Sequence, residues 1–238
     1  MQNKIKKHFD KYNICLTVKQ AEQFEKYLNL LIVENEKYNL TAIKNIDEII
    51  IKHFIDSVLP YTFFKENSKV IDIGAGAGFP SIPLMIMRSD LRFLIMDSVN
   101  KKVQFVKMVK DELTLTNCEI LHFRCEDLAR KSEYREKFDY CISRGLANMS
   151  SLLEYSSGFV KVGGKVVAYK SKNWNNELDN SKNTLNLMKL QLQENLEFLL
   201  YDVNGDQIVR NVLIFDKIAN LDKKYPRLQN KVRTNPLN

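Results

Sequence analysis

Three glycines alternate with small residues from Gly74 to Gly78, directly after a short apolar run that ends at Ile73. Glycines between a strand and a helix let the backbone turn tightly and approach a bound ligand. Asp72 stands two positions before the first glycine, where a carboxylate can bind a cationic group. Because open α/β sheets bind ligands at the carboxyl ends of strands, Gly74, Gly76 and Gly78 are candidate cofactor-binding residues.

Two other glycine-rich motifs fit this segment less well. A nicotinamide dehydrogenase needs glycine or alanine at the third position of its fingerprint, and bulky Phe79 stands there instead. Its pyrophosphate would also be repelled by Asp72, whereas the ammonium and sulfonium of S-adenosylmethionine would be attracted. A P-loop ends in Gly-Lys-Ser/Thr, but this loop ends in Gly78-Phe79-Pro80. The segment therefore favours an S-adenosylmethionine-dependent methyltransferase.

Two further acidic residues follow predicted strands. Asp97 ends the second strand and can accept both hydroxyls of a ribose, although it could instead cap the helix that begins near Asn100. Glu126, next to Asp127, follows the third strand and could reach an adenine. A role for Glu126 in the first turn of a helix is the alternative.

The alternation of patterns along the chain predicts an α/β fold. Residues 1–64 read as helices, with a capping box at Thr17 and Gln20 and with Asp47 as a further helix cap. From residue 65, strand and helix patterns alternate five times, and two extended runs then flank Asn204-Gly205, a strong hairpin signal. One polar helix is predicted over residues 176–187.

These patterns together predict a Rossmann-like class I methyltransferase fold. Its seven-stranded sheet should be mainly parallel, with an antiparallel hairpin at the C-terminal end. We expect two parts: an N-terminal helical segment over residues 1–64, and a Rossmann-like methyltransferase domain over residues 65–238 that includes a basic tail.

The charge of the chain favours a polyanionic partner. The formal net charge is +7 and the pI is about 9.1. The last sixteen residues contain five basic residues and no acidic one, and this tail is predicted to contact RNA. Further lysines near the N-terminus and along residues 101–110 could equally form a solvated surface.

Other signals argue for a cytoplasmic protein without bound metal. No apolar run is long enough to span a membrane, and residues 1–8 lack the apolar stretch of a signal peptide. The cysteines form no C-x-x-C pair and no zinc-ligand spacing, so reduced thiols are expected.

Several motifs over nearly the whole chain resemble one family, the ribosomal RNA small subunit methyltransferase G family, also called the glucose-inhibited division protein B family. The glycine loop alone is typical of methyltransferases in general, but the combination is much more specific. These motifs are Tyr38-Asn39-Leu40-Thr41-Ala42-Ile43, Lys52-His53-Phe54-Ile55-Asp56-Ser57, Asp72 to Pro80, Asp97-Ser98, Arg124-Cys125-Glu126, Ser143-Arg144 and Tyr225-Pro226-Arg227.

The resemblance implies methylation of N7 of a guanine in 16S ribosomal RNA, at guanine 527 in the usual numbering. It implies S-adenosylmethionine as cofactor and the small ribosomal subunit or its RNA as partner, with no obligate protein partner evident. It also implies cofactor contacts at Gly74, Phe79, Cys125, Glu126 and Arg144. Cys125 would act through its backbone, since the family commonly has alanine there.

Methylation at guanine N7 needs no general base, because that nitrogen already carries an in-plane lone pair. Arg144 and Arg124 are therefore predicted to act by positioning, through the cofactor carboxylate, a phosphate or the guanine O6 edge. A salt bridge at the end of the fourth strand is the alternative role of Arg144. The candidate RNA-contacting residues are Asn39, His53, Lys170 and Arg227.

Each of these RNA assignments has an alternative. His53 could equally be a packed helix histidine, and Lys170 precedes a serine where the family commonly has glycine. Two other functions also remain open. One is a methyltransferase for small molecules or proteins, and the other is a non-catalytic RNA-binding module on the same fold.

Overall fold

The computed structural model describes residues 1–228 and 230–237, and within them seven strands form a single sheet. The strands are β1 (Lys69–Ile73), β2 (Arg92–Asp97), β3 (Cys118–His122), β4 (Phe138–Arg144), β5 (Val160–Lys170), β6 (Leu190–Tyr201) and β7 (Gln207–Lys217). The helices are α1 (Gln2–Asp10), α2 (Val18–Tyr38), α3 (Ile46–Ile49), a π-helical segment (Ile50–Ile55), α4 (Asp56–Val58), α5 (Ser81–Met87), α6 (Asn100–Glu112), α7 (Cys125–Leu128), α8 (Met149–Ser157), α9 (Trp174–Asp179), α10 (Lys182–Met188) and α11 (Lys231–Thr234).

The strand order, β3-β2-β1-β4-β5-β7-β6, confirms the predicted fold class. Strands β1 to β5 pair in parallel, and β7 pairs antiparallel with both β5 and β6. The chain first builds the sheet outward from β1 to β3 and then returns to place β4 on the other side of β1. A crevice opens at such a reversal, beyond the carboxyl ends of the strands.

Alternating apolar residues divide the core between the two faces of the sheet. In β1, Val70 belongs to the cluster that includes α2, α5 and α6, whereas Ile71 and Ile73 belong to the cluster that includes α8. Successive side chains of a strand point to opposite faces of the sheet. Because both faces carry apolar residues, both must be covered by helices.

The N-terminal helices share a core with the sheet. Helix α2 begins at the predicted capping box, in which the Thr17 hydroxyl accepts from the backbone N–H of Gln20 at 3.2 Å. Phe24 and Tyr27 of this helix are fully buried, and the Tyr27 ring lies 6.4 Å from that of Phe105 in α6. The predicted division of the chain at residue 64 stays a prediction, since one apolar cluster contains residues from both sides of it.

Two local predictions were wrong. Asn45, rather than Asp47, caps α3, because its side chain accepts from the N–H groups of Asp47 and Glu48. The polar helix predicted over 176–187 is two short helices, α9 and α10. Between them the Ser181 hydroxyl donates to the carbonyl of Glu177, a side-chain bond that competes with the helical hydrogen bonds of the backbone. The tail, for which the sequence predicts no element, contains the short helix α11.

Among the helices of residues 1–228 and 230–237, none combines the length and the apolar character needed to cross a membrane.

Candidate active site

Backbone hydrogen bonds fold the glycine-rich loop against the end of β2. The N–H groups of Gly74 and Ala75 both donate to the carbonyl of Met96, at 2.9 and 3.2 Å. Gly74, Gly76 and Gly78 have φ values of +70°, +60° and +96°, a region that L side chains rarely occupy. The loop therefore needs glycine for its backbone conformation at each of these positions.

Asp97 connects this loop to the one after β2. One carboxylate oxygen accepts from the N–H of Gly76 at 2.9 Å, and the other accepts from the N–H of Val99 at 2.8 Å. Each oxygen can still accept another hydrogen bond, because a carboxylate oxygen offers about two lone-pair sites. The side chain does not cap α6 directly, since Val99 is the N-cap residue there.

A cavity of about 540 Å³ lies beyond the carboxyl ends of β1 to β4. We call it the acidic cavity after its two buried carboxylates, Asp97 and Glu126, although Lys102, Arg124 and Arg233 line it as well. Gly74, Asp97, Arg124, Cys125 and Glu126 line it, all of them predicted site residues. Glu126 is only 5% exposed, and the Nε of Arg124 lies 3.3 Å from its carboxylate. Burial raises the pKa of the Cys125 thiol, so this cysteine is not a thiolate nucleophile.

The second cavity, about 580 Å³, adjoins the first, and we call it the basic cavity. Residues 145–147, the loop after β4, line both cavities and form the wall between them. The charged and polar residues around the basic cavity are Lys52, His53, Asp56, Arg144, Lys170, Ser171, Glu177, Arg210 and Asn211. Four of these are lysines or arginines and two are acidic, so the lining carries a net positive charge.

Arg144 is held by the helical part of the chain. Its guanidinium lies 3.1 Å from the Asp56 carboxylate and donates to the carbonyls of Lys52 and His53 at 3.3 Å. It also lies over the ring of Phe79, 5.0 Å from the ring centroid. Asp56 binds Arg210 of β7 at 3.1 Å as well, so one carboxylate orients two arginines.

His53 occupies the π-helical segment, a helical irregularity that is frequent at functional sites. Its ring stacks on Phe79 with a centroid distance of 4.5 Å. The Thr41 hydroxyl lies 2.7 Å from Nε2, and the Arg144 guanidinium lies 3.3 Å from Nδ1. Burial, together with the positive charge of Arg144, lowers the pKa of His53 to about 3, so the ring is neutral at physiological pH.

Asp72 is fully buried and is absent from the lining of either cavity. One carboxylate oxygen accepts from the N–H of Ser81 at 3.2 Å, while the other is buried without a hydrogen-bond partner. Burial raises the pKa of this carboxyl to about 7. Direct contact between Asp72 and a cationic ligand, as expected from the sequence, is therefore not what this geometry favours.

Three predicted cofactor-binding residues lie beside the acidic cavity rather than in its wall. Gly76 donates to Asp97, and Phe79 is buried between His53 and Tyr27. A Cβ on Gly78 would lie 2.6 Å from the Ile82 side chain, so close packing also requires glycine there. Contacts of Gly76, Gly78 and Phe79 with a cofactor stay predictions, as does that of Arg144, which faces the basic cavity.

The predicted RNA-contacting residues are not all together. His53 and Lys170 line the basic cavity, where Lys170 binds the Ala147 carbonyl at 3.0 Å and Glu177 at 2.6 Å. Asn39 ends α2 with φ +50° and lines a separate cavity of about 620 Å³. Arg227 forms an ion pair with the buried Glu154, 2.7 Å away. All four RNA roles stay predictions.

Several residues of the two cavities were missed by sequence reasoning. Asp56 and Arg210 line the basic cavity, and Asn230 and Arg233 of the tail line the acidic cavity. Asp56 belongs to the His-x-x-Asp-Ser motif, which could have indicated it. For Arg210 and Asn230 the sequence gives no local signal, since both reach their cavity only through the packing of distant segments.

The architecture is shared with solved methyltransferases. A SAM-dependent methyltransferase from Aquifex aeolicus superposes with a TM-score of 0.53 at 15% identity, over 74% of this chain and 96% of that one. The M. jannaschii TYW2 protein, solved in complex with AdoMet, gives a TM-score of 0.52 at 16% identity, over 68% and 75% of the two chains. The fold is thus that of the Rossmann-like, S-adenosylmethionine-dependent methyltransferases.

The sequence comparisons define the family within this class. The family model for rRNA small subunit methyltransferase G, GidB, matches residues 20–201. A protein from Streptococcus gordonii, named ribosomal RNA small subunit methyltransferase G, is 40% identical over 94% of both chains. A protein of the same name from Clostridium perfringens is 40% identical over 98% of this chain and 97% of its own. The chain therefore belongs to the rRNA small subunit methyltransferase G family, as its motifs predicted.

Proposed function

We propose that this protein methylates N7 of a guanine in 16S ribosomal RNA, at guanine 527 in the usual numbering, with S-adenosylmethionine as the methyl donor. The observation that carries this proposal is the pair of adjoining cavities at the carboxyl ends of the parallel strands, one with two buried carboxylates and the other with a lining of net positive charge. The two carboxylates of the acidic cavity would bind the donor, and the basic cavity would take a nucleotide with its phosphates.

The residues of the acidic cavity fit the donor. Asp97 retains acceptor capacity for ribose hydroxyls, and the buried Glu126 carboxylate, whose ionic partner is Arg124, can accept from an exocyclic amine. A Cβ on Gly74 would lie 2.4 Å from the Leu146 side chain, so this glycine lets the loop after β4 approach the cavity floor closely. When bound, S-adenosylmethionine supplies an electrophilic methyl group.

The residues of the basic cavity suit a reaction that removes no proton beforehand. Guanine N7 carries a free lone pair, and the low pKa and double hydrogen bonding of His53 suit a structural rather than a proton-accepting role. Arg144 is fixed by Asp56 and by two backbone carbonyls, so its charge is oriented before the RNA binds. Fixed donors of this kind accelerate a reaction by positioning and electrostatics.

The RNA partner is supported by charge as well as by family. A net charge of +7 suits a polyanionic substrate. The cytoplasmic location that the sequence predicts is consistent with ribosomal RNA as substrate. Within the proposal, either free 16S RNA or the small subunit serves as the partner.

Methyl transfer from tritiated S-adenosylmethionine to unmethylated small subunits, to naked 16S RNA and to total protein tests the proposal. We expect label in RNA alone, and borohydride and aniline cleavage followed by primer extension should place N7-methylguanine at guanine 527. Arg144→Ala should lose about a hundredfold or more in turnover. Label in protein only, or at another guanine, would contradict the proposal, and wild-type turnover of the variant would remove Arg144 from it.

A further inference from the structure

The C-terminal segment, residues 221–228 and 230–237 as described, is folded onto the domain. Leu221 and Tyr225 are at most 7% exposed, and Val232 is fully buried. Leu221 and Tyr225 belong to the apolar cluster on the α8 face of the sheet. The position of the C-terminal segment is therefore determined by apolar packing as well as by charge.

Polar contacts hold this segment along α8. The Arg227 guanidinium forms an ion pair with Glu154, a fully buried glutamate of α8, and the backbone N–H of Arg227 donates to the same carboxylate at 2.8 Å. The Ser151 hydroxyl donates to the carbonyl of Val232 at 2.8 Å. Arg135 donates to the carbonyl of Tyr225 at 2.8 Å. These bonds bring the end of the segment to the acidic cavity.

Two side chains of the segment complete the wall of that cavity. Asn230 and Arg233 line it together with Asp97, Glu126 and Tyr155. Arg124 connects the two sides, since its guanidinium binds both the Glu126 carboxylate and the side-chain oxygen of Asn230. The buried carboxylate, an arginine and the tail amide thus form one continuous chain of contacts.

We infer that Asn230 and Arg233 belong to the binding site for the nucleoside end of the methyl donor, an inference that rests on the proposed function. The carboxylates at this end, Asp97 and Glu126, can accept from ribose hydroxyls and an exocyclic amine. The amide and guanidinium from the tail supply the complementary donors, which a purine ring nitrogen or a ribose oxygen can accept. The basic tail therefore contacts the methyl donor as well as the rest of the domain.

Isothermal titration with S-adenosylhomocysteine tests this without RNA and without catalysis. Arg233→Ala should raise the dissociation constant about threefold to tenfold, because it removes a charged donor from the exposed rim of the cavity. The matched control is Lys231→Ala, which removes the same charge from the same short helix at an exposed position outside the cavity lining. The control should stay within about twofold of the wild type.

Hydrogen exchange gives a second readout. Ligand should slow amide exchange in residues 230–235 of the wild type, and less so in Arg233→Ala. Equal dissociation constants for wild type, Arg233→Ala and Lys231→Ala, with exchange in the segment unaffected by ligand, would overturn the inference while leaving the proposed function intact. A wild-type protein that binds no S-adenosylhomocysteine would overturn both.

Discussion

At the scale of single residues, the neighbours of His53 determine its tautomer. A guanidinium can only donate, so Nδ1 of His53 must accept from Arg144 and the proton of the neutral ring must lie on Nε2, facing the Thr41 hydroxyl. The Thr41 hydroxyl also accepts from the N–H of Ile43 at 3.1 Å. A loop from the N-terminal segment thereby sets the orientation of a ring in the basic cavity.

This arrangement predicts a pH dependence of stability. The pKa of His53 is lowered from 6.5 to about 3 in the folded protein. Below pH 6.5 the His53 ring therefore becomes protonated in the unfolded chain but stays neutral in the folded protein. The free energy of unfolding should therefore fall as the pH drops from 6.5 towards 3, by about 1.4 kcal/mol per pH unit from this group. Urea unfolding of wild type and His53→Gln between pH 4 and 7 measures it. Parallel curves for the two proteins would contradict it.

At the scale of elements, the glycine-rich loop makes different demands at its different positions. A Cβ on Gly76 would meet nothing within 4 Å, whereas one on Gly78 would meet Ile82 at 2.6 Å and the Tyr27 hydroxyl at 3.1 Å. Tyr27 donates to the carbonyl of Ala77 at 2.6 Å, which joins the loop to α2. Gly76 is thus required only for its backbone conformation, and Gly78 also for packing.

Two alanine substitutions should separate these demands. Gly76→Ala should cost about 1 kcal/mol of folding free energy, because only the positive φ is strained. Gly78→Ala should cost about 3 kcal/mol, since strain and overpacking add. Thermal and urea unfolding measure both, and each variant serves as the control for the other. A Gly76→Ala variant that loses as much stability as Gly78→Ala would contradict the prediction, because the contact of a Cβ at position 78 with Ile82 would then make no difference.

The contact between the tail and α8 leads to a second prediction at this scale. Arg227→Ala leaves the Glu154 carboxylate, 0% exposed, without its ionic partner. Breaking a buried pair from one side should cost about 3 kcal/mol. Lys161→Ala, which breaks the more exposed pair with Asp139, should cost less than about 1 kcal/mol. Equal unfolding midpoints for Arg227→Ala and the wild type would exclude this role and leave RNA contact as the explanation for Arg227.

At the scale of the whole molecule, opposite ends of the sheet should differ in their contribution to RNA binding. The cavities lie at the carboxyl ends of the strands, and the tail packs beside the acidic one. Helix α2 begins at the other end, where Gln20 donates to the carbonyl of Ile86 at the end of α5. Lys231, an exposed lysine in the part of the tail beside the acidic cavity, should therefore contact phosphates, and lysines at the start of α2 should not.

The salt dependence of RNA binding tests this difference. Lys231→Ala should lower the slope of log affinity against log salt concentration by up to about 1. Lys19→Ala, near the start of α2, should leave the slope unchanged. Filter binding of 16S RNA at several salt concentrations gives the slopes. An equal effect of Lys19→Ala and Lys231→Ala on the slope would contradict the prediction, because it would mean that the position of the charge does not matter.

The sequence by itself determined the class of fold, and it predicted where the donor site lies. Alternating apolar residues, the glycines at 74, 76 and 78 and the Asn204-Gly205 hairpin are local signals, because each depends on backbone preferences of neighbouring residues. The family motifs are local in the same sense. Local signals failed at α3, where Asn45 and Asp47 compete to cap one helix, and over residues 176–187, where a side-chain hydrogen bond of Ser181 accompanies a break between two helices.

Tertiary structure alone decided which side chains share a cavity. Arg144 meets Asp56 across 88 positions of sequence, and Arg124 meets Asn230 across 106. Such meetings depend on how helices pack against a sheet, and no short-range pattern encodes that. The same packing paired Arg227 with Glu154, brought the tail to the acidic cavity and buried Asp72 away from both cavities.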